Sequence, residues 1–407
     1  MSSTGKPCLE STAGSTGEPS GEAAGEQFGS ADGTFLEHPS NRTTPRIFVA
    51  ATRQNDGKTT TCLGLYGALR HLGHNVGYIK PVAQRLIEVD GHLVDEDTQL
   101  ISAIYDVNIP IQAMSPIAID SSFTRRYLDH PEELRPVIVD RLCRAFDCAA
   151  REKDIVIIEG SGHAGVGSVF DCSNAHCAGI LGAKCVLVAG GGIGRPVDEI
   201  AINKALLDRM GVECIGVILN KVLADKIEFV REYVGRGLRH LGVPLIGVLP
   251  LVSRLARPNL SQVVSEIDGR WVNFFHAERG SDRVLKVIMG AMSANTIADH
   301  LGRGVLVILP GDRDDLLYAL SAYASSSDDP VACGIILTNN LVPKQRILDM
   351  LAKARIPVVR TEAESFTVTA KINNMTVKTQ PEDTDKIPHI ERIVRDNIDL
   401  NGLLRRL

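Results

Sequence analysis

The chain has 407 residues, 44% of them hydrophobic and 4% aromatic, which gives length for two or three globular domains. A formal net charge of -5 supplies no polycation and argues against nucleic acid as a partner, and no run approaches the roughly 18 apolar residues of a membrane span. The nine cysteines are odd in number and include no Cys-x-x-Cys pair, so the reading is reduced thiols in an intracellular, by default cytoplasmic, protein.

Residues 1–44 are rich in Gly, Ser, Thr and Glu and poor in large apolar side chains, so they read as a disordered tail. Glu10, Glu18, Glu22 and Glu26 do not suit a mitochondrial transit peptide, and a secretory signal would need an apolar core. From 45 to about 252 the pattern alternates. Short Val/Ile/Leu runs at 46–51, 76–80, 155–158, 185–189, 215–220 and 245–249 predict strands, with helices at 60–72, 132–151, 197–210 and 227–240 between them. Apolar runs that alternate with amphipathic stretches predict an open parallel sheet, which binds ligands at the carboxyl ends of its strands.

The first strand runs into Thr52-Arg-Gln-Asn-Asp-Gly57-Lys58-Thr59-Thr60. Strand, tight loop and helix N-terminus in that order form a nest of backbone N–H groups, with the helix dipole adding its positive end. Lys58 is expected to reach the β and γ phosphates of a nucleotide and the Thr59 hydroxyl to ligate magnesium. The pattern Gly-x4-Gly-Lys-Ser/Thr misses by one residue, since Thr52 stands at its first glycine. Asp154-Ile-Val-Ile-Ile-Glu159 delivers a carboxylate to the same rim, suited to direct or water-mediated contact with magnesium. Lys80 leaves the second strand at the ligand edge, followed by Asp95-Glu96-Asp97 and Thr124-Arg125-Arg126 in a long insertion, where a second substrate is expected. His163 lies in a glycine-rich loop after Glu159, and a lone loop histidine is more often a structural hydrogen-bonder. Cys172, His176 and Cys177 lack a fourth ligand for zinc.

On Ala51-Thr-Arg-Gln-Asn-Asp-Gly-Lys-Thr-Thr60, Lys80-Pro-Val82, Asp95-Glu-Asp-Thr98, Ile158-Glu-Gly160 and Val217-Ile-Leu-Asn220, residues 45–252 resemble the dethiobiotin synthetase and cobyrinic acid a,c-diamide synthase group of P-loop proteins. In that group the Thr52 position need not be glycine. The resemblance implies an α/β fold of the P-loop NTPase kind, with Asn55, Asp56, Gly57, Lys58, Thr59 and Thr60 on the phosphates and Asn220 on adenine. It further implies Thr59, Asp97 and Glu159 at magnesium, and Lys58, Lys80 and Glu159 as catalytic groups. Ala51, Gly-Ser-Gly-His after Glu159 and the Arg125-Arg126 pair depart from the synthetase pattern, which puts its biotin-precursor substrate in doubt.

Beyond about 258, strands at 284–289, 304–309, 334–337 and 357–360 and helices at 296–301, 314–324 and 343–354 predict a smaller α/β domain. Its Gly290-Ala-Met-Ser293, Pro310-Gly-Asp-Arg313 and Ile336-Leu-Thr-Asn-Asn340 segments resemble the DRTGG domain, set here at 253–375. An amphipathic helical extension, 376–407, is expected to pack on this domain or on a partner. The module order resembles the N-terminal portion of long phosphate acetyltransferases, without the acetyltransferase part, and no glutaminase cysteine elbow is found. Two functions follow. One is an enzyme that uses Mg-ATP to activate a carboxylate or carbamate, with Lys80 and Arg125 holding the small anionic acceptor. The other is a nucleotide sensor that acts through its DRTGG-like domain, which family habit places in a homodimer.

Overall fold

Our computed structural model describes residues 35–273 and 276–407. They divide into two units, one of residues 35–251 with Thr384–Leu407 and the other of Val252–Asp383.

The first unit is built on six strands: β1 (Arg46–Ala51), β2 (Val76–Ile79), β3 (Ile155–Glu159), β4 (Lys184–Gly190), β5 (Cys214–Val222) and β6 (Leu245–Pro250). Their order across the sheet is β6-β5-β4-β1-β3-β2, and every pairing is parallel. Every residue of β1 to β3 is buried, the signature of strands covered on both faces. The chain crosses from β1 to one side, returns through β3, and then fills the other side from β4. That reversal opens a crevice at the carboxyl ends of β1, β3 and β4. Helix α1 (Lys58–His71) follows β1. Helices α2 (Glu96–Tyr105) and α3 (Pro131–Ala149) lie in the insertion between β2 and β3, while α4 (Gly194–Arg209) and α5 (Ile227–His240) are the later crossovers.

Two sequence expectations need correction. Of the tail read as disordered over 1–44, residues 1–34 lie outside the described residues, but 35–44 are held against α3. The Leu36 amide donates to Asp140 Oδ1 at 2.8 Å, and the amides of Ser40 and Asn41 donate to the two oxygens of Asp147, each at 2.8 Å. Buried Arg46 closes this strap by donating to the Asn41 carbonyl at 2.9 Å. These polar contacts have no apolar signature, which is why composition alone misses them. The extension 376–407 is also relocated, because Thr384–Leu407 belongs to the first unit.

The second unit carries β7 (Arg270–Trp271), β8 (Lys286–Met289), β9 (Val305–Pro310), β10 (Gly334–Thr338) and β11 (Val358–Arg360) in the order β7-β11-β10-β9-β8, parallel except for the β7–β11 pair. Helices α6 (Leu260–Glu266), α7 (Asp314–Ser325), α8 (Gln345–Lys353) and α9 (Ser365–Asn374) flank it. Alternate residues of β9 and β10 feed two cores, with Val307 and Ile335 in one and Leu306 and Ile336 in the other. Helix α10 (Ile387–Asn397) returns to the first unit. Among the described residues no helix is long and apolar enough to cross a membrane.

Candidate nucleotide-binding site

Hydrophobic β1 ends in a turn that only unusual backbone can make. Asn55 has φ 66° and Gly57 has φ 97°, and a Cβ built on Gly57 would lie 2.1 Å from Asn220 Nδ2. Gly57 therefore satisfies both the left-handed conformation and the close approach. No side chain caps the N-terminus of α1, so its leading amides remain oriented toward the crevice. The turn is stapled internally: Asp56 Oδ2 accepts from the Thr52 hydroxyl and from the Arg53 amide, both at 2.9 Å. Burial, opposed by the Thr52 hydrogen bond, pushes the Asp56 carboxyl above its ordinary range. Thr52, at the position where the simplest phosphate-loop pattern has glycine, thus holds the loop closed by a hydroxyl that glycine lacks.

The acidic end of β3 lies beneath this loop. Glu159 is 1% exposed, accepting at Oε1 from the Thr59 hydroxyl at 2.7 Å and at Oε2 from the Tyr78 hydroxyl at 2.9 Å. Burial raises its carboxyl above the ordinary range, against Lys80, which pulls it down. Lys80, 6% exposed, pairs with Asp97, with Asp95 at 2.8 Å and with Glu159 at 3.8 Å. Burial alone would depress this ammonium; Glu159, Asp97 and Asp95 together outweigh it and hold its pKa well above the ordinary value. Asp95 is itself locked, accepting from the amides of Gln84 and Asp97, so the insertion is tied to the crevice by its own acidic turn. Lys58 is half-buried, and burial lowers its pKa against the pull of Glu159.

Lys58, Thr59, Glu159, Lys80 and Asp97 thus converge on one cluster. Asn55, Asp56, Gly57 and Asn220 form a second, in which Asn220 Nδ2 donates to the Asp56 carbonyl at 2.9 Å. Thr60 lies half-buried in the first turn of α1. Lys80 does not present a bare charge to the crevice, because carboxylates surround it. His163 is exposed and turned onto its own loop, its Nδ1 accepting from the Gly165 amide at 3.2 Å. The sequence reading missed Tyr78 and the part of Asp95. Tyr78 precedes Lys80 by two residues, a spacing that puts both on one face of an extended strand, and this was the available signal.

The residues fit a magnesium nucleotide. Three carboxylates against the ammonium groups of Lys58 and Lys80 leave the cluster short of one positive charge, and the uncapped α1 amides suit phosphate oxygens. Among the described residues no three His, Cys, Asp or Glu side chains form a ready metal cage. Magnesium does not need one, since it takes one or two protein oxygens and completes its shell with water and phosphate.

In the second unit, the three segments singled out in the sequence meet at the carboxyl edge of its sheet. Arg313 donates to the carbonyls of Gly290 at 2.8 Å and Met292 at 3.2 Å, and a Cβ on Gly311 would lie 1.8 Å from the Leu341 carbonyl oxygen. Here Gly311 and Arg313 fasten one strand end to the next.

A family model described as an AAA domain matches residues 45–259, and one described as a DRTGG domain matches 262–375. The chain is similar to the phosphate acetyltransferase of Pseudomonas aeruginosa, 26% identical over 385 residues, covering 88% of this chain and 52% of that protein. It is likewise similar to that of Nitrosomonas europaea, 27% identical over 377 residues, covering 88% of this chain and 51% of that protein. The chain therefore spans about half the length of the curated relatives it matches. Among solved structures, MinD from Pyrococcus horikoshii complexed with Mg-ADP is 16% identical, covers 52% of this chain and 84% of that one, and has a TM-score of 0.34, too slight a likeness to bear on ligands. The parallel sheet, the Gly57-Lys58-Thr59 turn and the acid-ended β3 all fall inside the matched residues, and on that match the chain belongs to the AAA domain family of P-loop proteins, with a DRTGG domain following.

Proposed function

We propose that the first unit binds a magnesium nucleoside triphosphate, with ATP the expected nucleotide, and that the protein responds to nucleotide state rather than anchoring an acyl acceptor at Lys80. One observation supports this most: Lys80 is enclosed by Asp95, Asp97 and Glu159, while Lys58 and the uncapped α1 amides remain the positive groups of the crevice. In this reading Lys58 and the loop amides hold the β and γ phosphates. Thr59, with Glu159 and Asp97 acting through water, holds magnesium, which supplies charge neutralisation on the phosphates. Lys80 keeps the two acidic segments together although their like charges repel. Asn220, which the family resemblance assigns to adenine, also holds the Asp56 carbonyl of the loop at 2.9 Å. The relatives are named for phosphate acetyl transfer, and the reading extends to a nucleotide-responsive module that acts with such an acetyltransferase through a homodimer of the second unit.

A second reading, ATP-dependent activation of a small carboxylate or carbamate, is favoured by the insertion. The helix Phe123–Asp129, which carries exposed Arg125, is fixed to the turn after Glu159 by a 2.7 Å hydrogen bond from the Tyr127 hydroxyl to Asp171. Arg125 would then hold the acceptor. Glu159→Gln separates the two: the sensor keeps binding with an altered magnesium requirement, whereas the enzyme keeps binding but loses turnover, read by phosphate release.

A further inference from the structure

We propose that Lys221 is a positioning residue for the phosphate loop, holding the curl of Asn55–Gly57 in its anion-binding form. The triphosphate consequence rests on the function proposed above; the positioning itself does not.

Three independent features aim this side chain. Lys221 Nζ donates to the Asn55 carbonyl at 2.6 Å, one residue before the carbonyl of Asp56 that Asn220 Nδ2 holds at 2.9 Å. Adjacent residues of β5 thus grip adjacent carbonyls of the loop. The backbone is bent to allow it: Lys221 has φ 60°, uncommon for a long side chain. Between the pairs Leu219–Val248 and Val222–Pro250, β5 has two residues where β6 has one, a bulge of the kind that redirects a side chain beside a site. The bend is also enforced from behind, since a Cβ on Gly191 would lie 2.9 Å from the Lys221 carbonyl oxygen, and the Lys221 amide donates to Asn220 Oδ1 at 2.8 Å. An exposed lysine held in a disfavoured conformation to reach a loop carbonyl has no packing reason to be there.

The curl matters because Asn55 sits at φ 66°, and the amides that follow point into the crevice only in that form. With the Asn55 carbonyl tied back, those amides are arranged before any anion arrives, so binding does not spend affinity on ordering them.

The test is hydrogen–deuterium exchange across residues 52–58 in the ligand-free full-length protein, comparing wild type with Lys221→Met, Lys221→Arg and Lys221→Gly. The Met variant keeps the stem and loses the ammonium, and the Gly variant also relieves the positive φ. Exchange is expected to quicken about threefold to tenfold in both, as for loss of one exposed charge-assisted bond, with partial recovery in the Arg variant. The Gly variant is expected to keep or raise its melting temperature, which a merely structural role would not allow. Unchanged exchange in the Met and Gly variants overturns the proposal. Titration with magnesium and inorganic triphosphate is read separately: affinity falling by a similar factor in the Met variant supports positioning, and affinity equal to that of a binding wild type contradicts it. A wild type that binds no triphosphate defeats the nucleotide reading while the exchange result still decides the role of Lys221.

Discussion

In the proposed site, burial opposes the charges of Lys58 and Glu159, and their neighbours only partly offset it. Replacing Lys58 with Ala removes an ammonium that, unlike that of Lys80, has no carboxylate cage. Mg-ATP affinity is expected to fall about ten- to hundredfold, the equivalent of roughly 1.5 to 3 kcal/mol for a charge-assisted hydrogen bond, as measured by calorimetric titration. The depressed pKa of Lys58 adds a pH signature. In the unfolded chain it titrates at its ordinary 10.5, while in the folded protein burial makes it release its proton at lower pH. Nucleotide affinity should therefore decline as pH rises through that lowered value, before 10.5 is reached. Over the window between the two values, the unfolded chain holds more protons, so folded stability should rise with pH while affinity falls. Opposite trends in the two quantities would be read by titration and by urea unfolding over the same pH series, and affinity flat up to 10.5 would contradict the role of Lys58.

At the scale of elements, α1 is gripped along its length by α10. Gly64 and Gly67 let the two helices meet: a Cβ on Gly64 would lie 2.3 Å from Val394 Cγ2, and one on Gly67 would lie 2.4 Å from Glu391 Oε1. Glu391 Oε1 in turn accepts from the Tyr105 hydroxyl at 2.8 Å, joining α10 to α2 as well. Gly64→Ala should favour the helix by about 1 kcal/mol on propensity alone, yet overpacking should win and destabilise the protein by about 1 to 3 kcal/mol in thermal or urea unfolding. A stabilised variant would mean that α10 does not pack there.

This contact shows where the sequence is legible. The parallel strands of both sheets and the long crossover helices stand out as apolar runs and amphipathic periods, the two-residue β7 does not, and α10 is recognisable as an amphipathic helix. Its address is not, because the information is split between Val394 and two glycines more than 300 residues away. The insertion is equally opaque. Its paired strands Leu86–Val89 and His92–Asp95 are four residues each and only partly buried, so they leave little periodicity to read. Within the site, the loop and Glu159 announced themselves by residue type and position. The enclosure of Lys80 did not, since it depends on a turn that brings Asp95 and Asp97 back to the end of β2.

For the whole molecule, the return of Thr384–Leu407 to the first unit means that the second unit is an insertion between two parts of the first. Beyond α10 the chain continues to dock: the Asp399 amide donates to the Ile246 carbonyl at 2.9 Å, and Ile398 bridges to Gly247 at the edge of the first sheet. Cutting the chain after Asp383 should therefore weaken the unit that precedes the cut by a whole domain. The single tryptophan, Trp271, lies in the second unit and packs on one of its cores. Its fluorescence transition in urea should survive the truncation, while the circular dichroism signal of the first unit unfolds at lower urea. Loss of the Trp271 transition with the first unit intact would contradict this assignment. The measurement that tests the central claim most directly is calorimetric titration of wild type and Lys58→Ala with magnesium and a non-hydrolysable ATP analogue. The account predicts saturable binding to wild type, weakened about ten- to hundredfold in the variant. Absence of binding to wild type, or equal binding to both, would contradict it.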